Sequence, residues 1–260
     1  MNKSVITGPG YDTPITSYSP EGRVLQVEYA TLAVANSFTI IGMRGKDSVV
    51  LAVDKIIMSS LYEPDADGRI VSLERNIGMA MAGLTSDGHA VADIARQEAA
   101  NFRMNYNRVI PLRDLCERIA SYMHAATLNG LNRPFGLSVI LASWEASEGP
   151  ELYKIEPCGS FLGYYACACG RAKPQADQEF DKLENLSGMG TEELVKAAAE
   201  IIYKGHYDWQ NRDFLFEMGI VGKDTRGLHL INPPVLTEIA RAAGAEAAAN
   251  ETSSSDEAFF

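Results

Sequence analysis

Tyr18-Ser19-Pro20-Glu21-Gly22-Arg23-Val24-Leu25-Gln26-Val27-Glu28-Tyr29-Ala30 is the stretch on which the reading of this chain turns. Ser19 suits a helix N-cap, because its hydroxyl can accept an amide of the first turn that has no other partner. Pro20 suits the first helical position, where its missing N–H costs nothing. Glu21 suits the positive end of the helix dipole. Leu25, Tyr29 and Leu32 then recur at helical spacing. A helix capped by Ser19, with that apolar face, is expected. Upstream, Met1 to Ser19 carries Gly8, Pro9, Gly10 and Pro14 among small polar residues and reads as an irregular arm.

Downstream, Thr39 to Met43 and Val49 to Val53 are β-branched and apolar, separated by a turn at Gly45 to Ser48. A second pair follows at Ile70 to Leu73 and Ile77 to Ala82. Its near-continuous apolar character predicts strands covered on both faces. Two amphipathic helices come next, one with Val91, Ile94, Ala95 and Phe102 on a side, one with Leu112, Leu115, Cys116, Ile119 and Met123. Strands are expected at 137–143, 152–156 and 161–169, helices at 173–186 and 191–207, strands at 215–221 and 228–231, and a helix from Pro234. Helices thus come in pairs between groups of strands. That order disfavours a doubly wound parallel sheet and predicts an α+β domain of antiparallel sheets with helices layered outside. The tail after Arg241 has no basic residue and holds Glu246, Glu251, Asp256 and Glu257 beside three serines. A solvated, disordered end is expected there.

Of the 260 residues, 46% are hydrophobic, enough for a sizeable core and far too many for a wholly disordered chain. The net charge of −11 makes general nucleic-acid binding a poor fit, since phosphate neutralisation needs clustered Lys and Arg. No stretch reaches the roughly 18 apolar residues of a membrane span, and no secretory leader is evident, so a location in the cytoplasm and nucleus is expected. Cys116, Cys158, Cys167 and Cys169 do not make a disulfide framework. Cys167 and Cys169 share a strand face, and reduced buried thiols compete there with metal ligation. His89, His124, His206 and His229 are dispersed, and no phosphate-binding or hydrolase motif is present. No cofactor or metal is implied.

The stretch from Tyr18 to Ala30 resembles the N-terminal signature of proteasome alpha subunits. Asn36 to Asp54, Met81-Ala82-Gly83-Leu84 with Asp87, Ala92 to Arg96, and Arg133-Pro134-Phe135-Gly136 are similar to later parts of that family. The resemblance runs from about Gly10 to about Ala240. Gly10-Tyr11-Asp12, Phe102-Arg103 and the acidic tail are most similar to the eukaryotic alpha type-3 class. The family implies a four-layer αββα sandwich, two antiparallel sheets between helix layers, as in N-terminal nucleophile hydrolases. It implies a seven-membered ring with neighbouring alpha subunits, contact with beta-ring subunits, and docking of regulatory particle ATPases or other activators. Residues 1–19 would be a gate arm, 20–241 a single domain and 242–260 the tail.

Catalytic relatives use the amine of a terminal Thr, Ser or Cys as base, which requires cleavage just before the nucleophile. Here Asn36-Ser37 precedes the first strand near Phe38, and the only Gly-Thr is Gly190-Thr191, at a helix start. Asp54 matches a supporting carboxylate of the beta subunits. Arg69 falls where they keep a lysine, and arginine cannot accept a proton at neutral pH. Cys169-Gly170-Arg171 replaces a Ser/Gly loop. An inert subunit is expected, with an active hydrolase and a free-standing binding module of the same fold as the competing readings. The resemblance further implies that Tyr11, Asp12, Pro20 and Tyr29 form a gate cluster, against the plainer reading of a cap and an apolar contact. Thr13 stands where many members have Arg. Arg69 is a candidate to pair with an activator carboxylate, or a solvated turn residue. Ser253 and Ser254, each with an acidic residue three positions on, are candidates for phosphorylation.

Overall fold

The structure, a computed structural model, describes residues 15–56, 61, 63, 67–130, 132–207 and 214–257, with side chains through 247. Helix α1 (Leu25–Ala35) leads into the hairpin β1 (Ile40–Arg44) and β2 (Ser48–Ile56), then β3 (Ile70–Glu74) and β4 (Ile77–Gly83). Helices α2 (Thr85–Tyr106) and α3 (Leu112–Leu128) follow, then β5 (Leu137–Glu145), β6 (Gly149–Ile155), β7 (Phe161–Gly163) and β8 (Ala166–Cys169). The chain continues through α4 (Lys173–Asp181), α5 (Thr191–Tyr207), β9 (Phe214–Gly222), β10 (Leu230–Ile231) and α6 (Pro234–Glu257). One sheet has the order β10-β9-β2-β1-β8, the other β3-β4-β5-β6-β7, and every pairing is antiparallel.

The period of two along each strand builds three apolar layers. In β4, Ile77, Met79 and Met81 pack under α2 and α3 with Val91, Ile119 and Met123, while Ala80 and Ala82 face the other sheet. In β2, Val49, Leu51 and Val53 fill the space between the sheets, and Val50 and Ala52 meet Leu194 and Ala198 of α5. A fully buried side chain of this size contributes about 1.5–3 kcal/mol. Exposed ion pairs such as Arg96–Asp93 add about 0–1 kcal/mol each, so the apolar layers hold the fold. These are the antiparallel sheets with helices outside that the element order predicted, in the four-layer arrangement the resemblance implied.

Several boundaries differ from expectation. The Ser19 cap does not begin a helix. Gly22 turns the chain at φ +76°, its N–H donates to Ser19 O at 2.8 Å, and α1 starts at Leu25 behind Val24. Ser19 Oγ instead donates to Glu21 and accepts from Arg23 N–H, so the capping residues close a turn. Nor is the Leu25–Tyr29–Leu32 stripe the buried face. The helix sits down on Ala30 and Val34, whose small side chains permit close approach, and Leu32 is 54% exposed. The run 161–169 is two strands in different sheets. Tyr164 N–H donates to Leu152 O of β6 while Tyr165 O accepts from Arg44 N–H of β1, so the chain crosses between sheets there. The strand expected at 228–231 is confined to Leu230–Ile231, and the helix expected to run to 186 ends at Asp181.

Arg241 is not the end of ordered chain. Helix α6 lies along α5 and continues to Glu257, with Ala240 and Ala247 buried. The alanines between Ala240 and Ala249 favour helix, and composition read as solvation missed the burial of Ala240 and Ala247.

Candidate functional site

The start of β1 is held from three sides. Pairing with β2 sets Asp54 beside Thr39: Asp54 N–H donates to Thr39 O at 3.0 Å, and Thr39 N–H donates to Asp54 Oδ1. The loop after β8 grips the same backbone, with Arg171 N–H on Ser37 O at 3.2 Å and Ala172 N–H on Thr39 Oγ1 at 3.1 Å. From the other sheet, the Arg69 guanidinium lies 4.6 Å from the Phe38 ring centroid, a cation–π contact. Arg69 Nη1 donates to Gly83 O at 3.1 Å and Nη2 to Asp67 at 3.2 Å. Asp54, Arg69 and the Cys169–Arg171 loop, picked out by the resemblance, therefore converge on the first strand.

A second clasp flanks this end. Arg133 Nη1 and Nη2 donate to the two oxygens of Asp87, each at 2.7 Å, and the buried Gly136 N–H donates to Asp87 at 2.9 Å. Asp87 lies in the first turn of α2, where the helix dipole favours a carboxylate. Burial raises its pKa, but the bonds from Arg133 and Gly136 and the Arg133 charge outweigh this and leave it lowered.

Chemically, the hydrogen bonds here hold the backbone at the start of the first strand. The Thr39 nitrogen is an amide whose lone pair is delocalised into the carbonyl, so it has no basicity to lend its own hydroxyl. Thr39 Oγ1 accepts from Ala172, Asp54 faces an amide, and the Arg69 guanidinium is bonded to Gly83 O and Asp67. The neighbouring thiols are no substitute: burial pushes Cys169 up to about 11 and Cys167 well above the usual thiol range. Among the described residues no group of three or more His, Cys, Asp or Glu is placed to hold a metal ion, and no helix is long and apolar enough to cross a membrane.

The other candidate residues are scattered. Pro20 is exposed in the turn before α1, and Tyr29 is half-buried on that helix. Tyr11 and Asp12 lie outside the described residues. Arg69 is 6% exposed and turned inward, so the solvated-turn reading is overturned, and its guanidinium is not presented to an incoming carboxylate. Ser253 and Ser254 fall on α6, with side chains outside the described set. Sequence reading missed a cleft of about 570 Å³ at the root of the arm, where Tyr18, Arg23 and Val27 face His124, Thr127 and Cys158. His124 and Thr127 come from α3 and Cys158 from the turn after β6, segments far from the arm in the chain. It also missed Phe38 as the cover of Arg69.

Two stacked antiparallel sheets between helix layers, with supporting groups gathered at the start of the first strand, define the sandwich of the N-terminal nucleophile hydrolase type. The proteasome subunit family profile matches residues 34–221, and the N-terminal signature of A-type proteasome subunits matches residues 11–33. The chain belongs to the proteasome subunit family, as an alpha-type member of the core particle. It is 60% identical over 249 residues to the alpha type-3 proteasome subunit of Drosophila melanogaster, covering 96% of this chain and 97% of that one. Identity is 42% to the alpha type-3 proteasome subunit of Arabidopsis thaliana, over 91% of this chain and 94% of that one. It is 40% to the probable alpha type-7 proteasome subunit of Saccharomyces cerevisiae, over 85% and 78%.

Proposed function

We propose that this chain is a non-catalytic subunit of the outer, seven-membered alpha ring of the 20S core particle, acting in ubiquitin-dependent and ubiquitin-independent protein degradation in cytoplasm and nucleus. The observation that carries the inert reading is the Thr39 nitrogen. It sits inside the chain, bonded to Asp54, with Phe38 closed over Arg69 in front of it. The purified chain is expected to leave fluorogenic peptides uncleaved and to gain no mass from threonine-directed covalent inhibitors. A stoichiometric adduct on this chain would overturn the reading.

Neighbouring alpha subunits, beta-ring subunits and regulatory particle ATPases or other activators are the partners this reading assigns. The arm, with Tyr11, Asp12, Pro20 and Tyr29, is its gate element, and Ser253 and Ser254 are its sites of phosphorylation. Each phosphate adds about −1.5 to −2 charges to an acidic segment. A fully extended chain spans at most about 3.3–3.6 Å per residue, so residues 1–19 can reach roughly 60 Å, enough to project across a pore. Deleting Met1 to Gly10 is expected to raise basal hydrolysis of small peptides by the assembled particle several-fold, through easier entry. An unchanged basal rate in a normally assembled particle removes this arm from the gate.

A further inference from the structure

The imidazole of His229, just ahead of β10, is wedged into the seam between the two sheets. It lies over Gly78 of β4 and Gly219 of β9: a methyl group on either would fall 2.1 Å or 2.7 Å from Nε2. Only glycine at both positions leaves room for the ring. Nδ1 is 2.7 Å from Ser72 Oγ of β3, and the backbone N–H donates to Arg75 O at 2.6 Å. Nε2 is buried and has no hydrogen-bond partner among the described residues.

The charged groups on the surrounding elements are engaged elsewhere or face solvent. On β9, Glu217 accepts the N–H groups of Arg69 and Ile70. On β3, Glu74 pairs with Arg103, and Arg96 of α2 donates to the Ser72 carbonyl. Arg75, in the β3–β4 turn, is exposed. A protonated ring would therefore carry a charge with no counter-ion and an N–H on both nitrogens, the one on Nε2 without an acceptor. Burial accordingly lowers the His229 pKa from 6.5 to about 4.

We propose that His229 is an acid-released latch: neutral, it pins the 223–231 return and β10 against the seam, and protonated, it leaves the slot and lets β10 come away from β9. Little else holds that strand. β10 contributes two residue pairs, Leu230 with Ile220 and Ile231 with Gly219. Beyond them, Asn232 exchanges hydrogen bonds with the Met218 backbone and forms the hinge. Leu228, Leu230 and Ile231 are already about two-fifths exposed, at 45%, 39% and 42%. Opening would bare an unpaired β9 edge beside them, an adhesive surface present only in acid.

Because the closed state has the lower pKa, the latch holds fully above pH 6.5 and weakens as pH falls toward 4. The closed-to-open ratio should fall about tenfold per pH unit in that interval, roughly 300-fold in all. Amide hydrogen exchange on the full chain, corrected for intrinsic rates, tests this. Between pH 7.5 and 5.5, exchange in residues 223–232 is expected to rise about tenfold, while exchange in β5 does not change. His229→Gln keeps a partner for Ser72, does not titrate in this range and should abolish the rise. A rise that persists in His229→Gln, one matched in β5, or none in the wild type would each overturn the latch. Should the variant fail to fold, NMR titration of the wild-type imidazole decides. A value below 5 supports the latch, and one near 6.5 with the strand still paired refutes it.

Discussion

Gly170→Ala is expected to destabilise the chain by about 3–5 kcal/mol and to lower its melting temperature by about 10 °C. Gly170 has φ +96°, a conformation that costs a residue with a side chain about 1–3 kcal/mol. Space is the larger obstacle. A Cβ there would stand 2.1 Å from Phe38 O and 2.9 Å from Thr39 Cα, both backbone atoms with no rotamer to change. Relief requires the 37–39 segment to move. That loosens the bonds from Arg171 to Ser37 and from Ala172 to Thr39, and lifts Phe38 from Arg69. Gly149→Ala is the matched control, with φ +79° and no atom within 4 Å of the added carbon. It carries the strain without the collision and should cost about 1 kcal/mol. Urea unfolding of both variants separates the two contributions. If they fall within about 1 kcal/mol of each other, the site is not closed by contact in the way described.

What the sequence made legible was periodic or contiguous. The near-continuous apolar run Ile77 to Ala82 and the helical spacing in Leu112 to Met123 marked strand and helix, because β4 is covered on both faces and α3 buries one face along its length. Cys167 and Cys169 were placed on one strand face and lie together between the sheets. Where two local rules competed, reading failed. Ser19-Pro20-Glu21 satisfies every preference of a helix start, yet Gly22 shortly after takes a positive φ and diverts the chain into a turn. Tyr164-Tyr165 is as strand-like as its neighbours, and only pairing to two different sheets shows that it is a crossover.

Site geometry was legible in part for a related reason. Asp54 and Arg69 were found because the family resemblance carried them. Phe38, Ala172 and the Glu217 carboxylate were not, because their roles arise from contacts between segments far apart in the chain, or from a ring stacking with no sequence pattern. The inward turn of Arg69 is such a case. Its charge suggested solvent, whereas Phe38, Gly83 O and Asp67 together offset its burial.

Asp87→Ala should cost about 2–4 kcal/mol at neutral pH, mostly from what it leaves behind. Arg133 is 58% exposed at its side chain, so its freed guanidinium is rehydrated at small cost. Gly136 is buried, and its N–H would lose its acceptor, a loss worth about 1–3 kcal/mol. The first turn of α2 would also lose its acid, worth about 0.3–1 kcal/mol. Asp87→Asn keeps an acceptor for Gly136 and should cost about 1–2 kcal/mol, the share belonging to charge. Acid then distinguishes the two contributions. The Asp87 pKa is lowered from its ordinary 3.8, so the charge-dependent stability is complete above that value and is lost as pH falls through the folded-state pKa. The wild-type advantage over Asp87→Asn should therefore stay constant from about pH 7 to 5 and shrink below about 4, while part of its advantage over Asp87→Ala survives. Acid release of His229 is common to all three proteins and cancels in the differences. An advantage over Asp87→Asn that is unchanged at pH 3.5, or that grows on acidification, would show that the Arg133 clasp does not hold this end of the sandwich by charge.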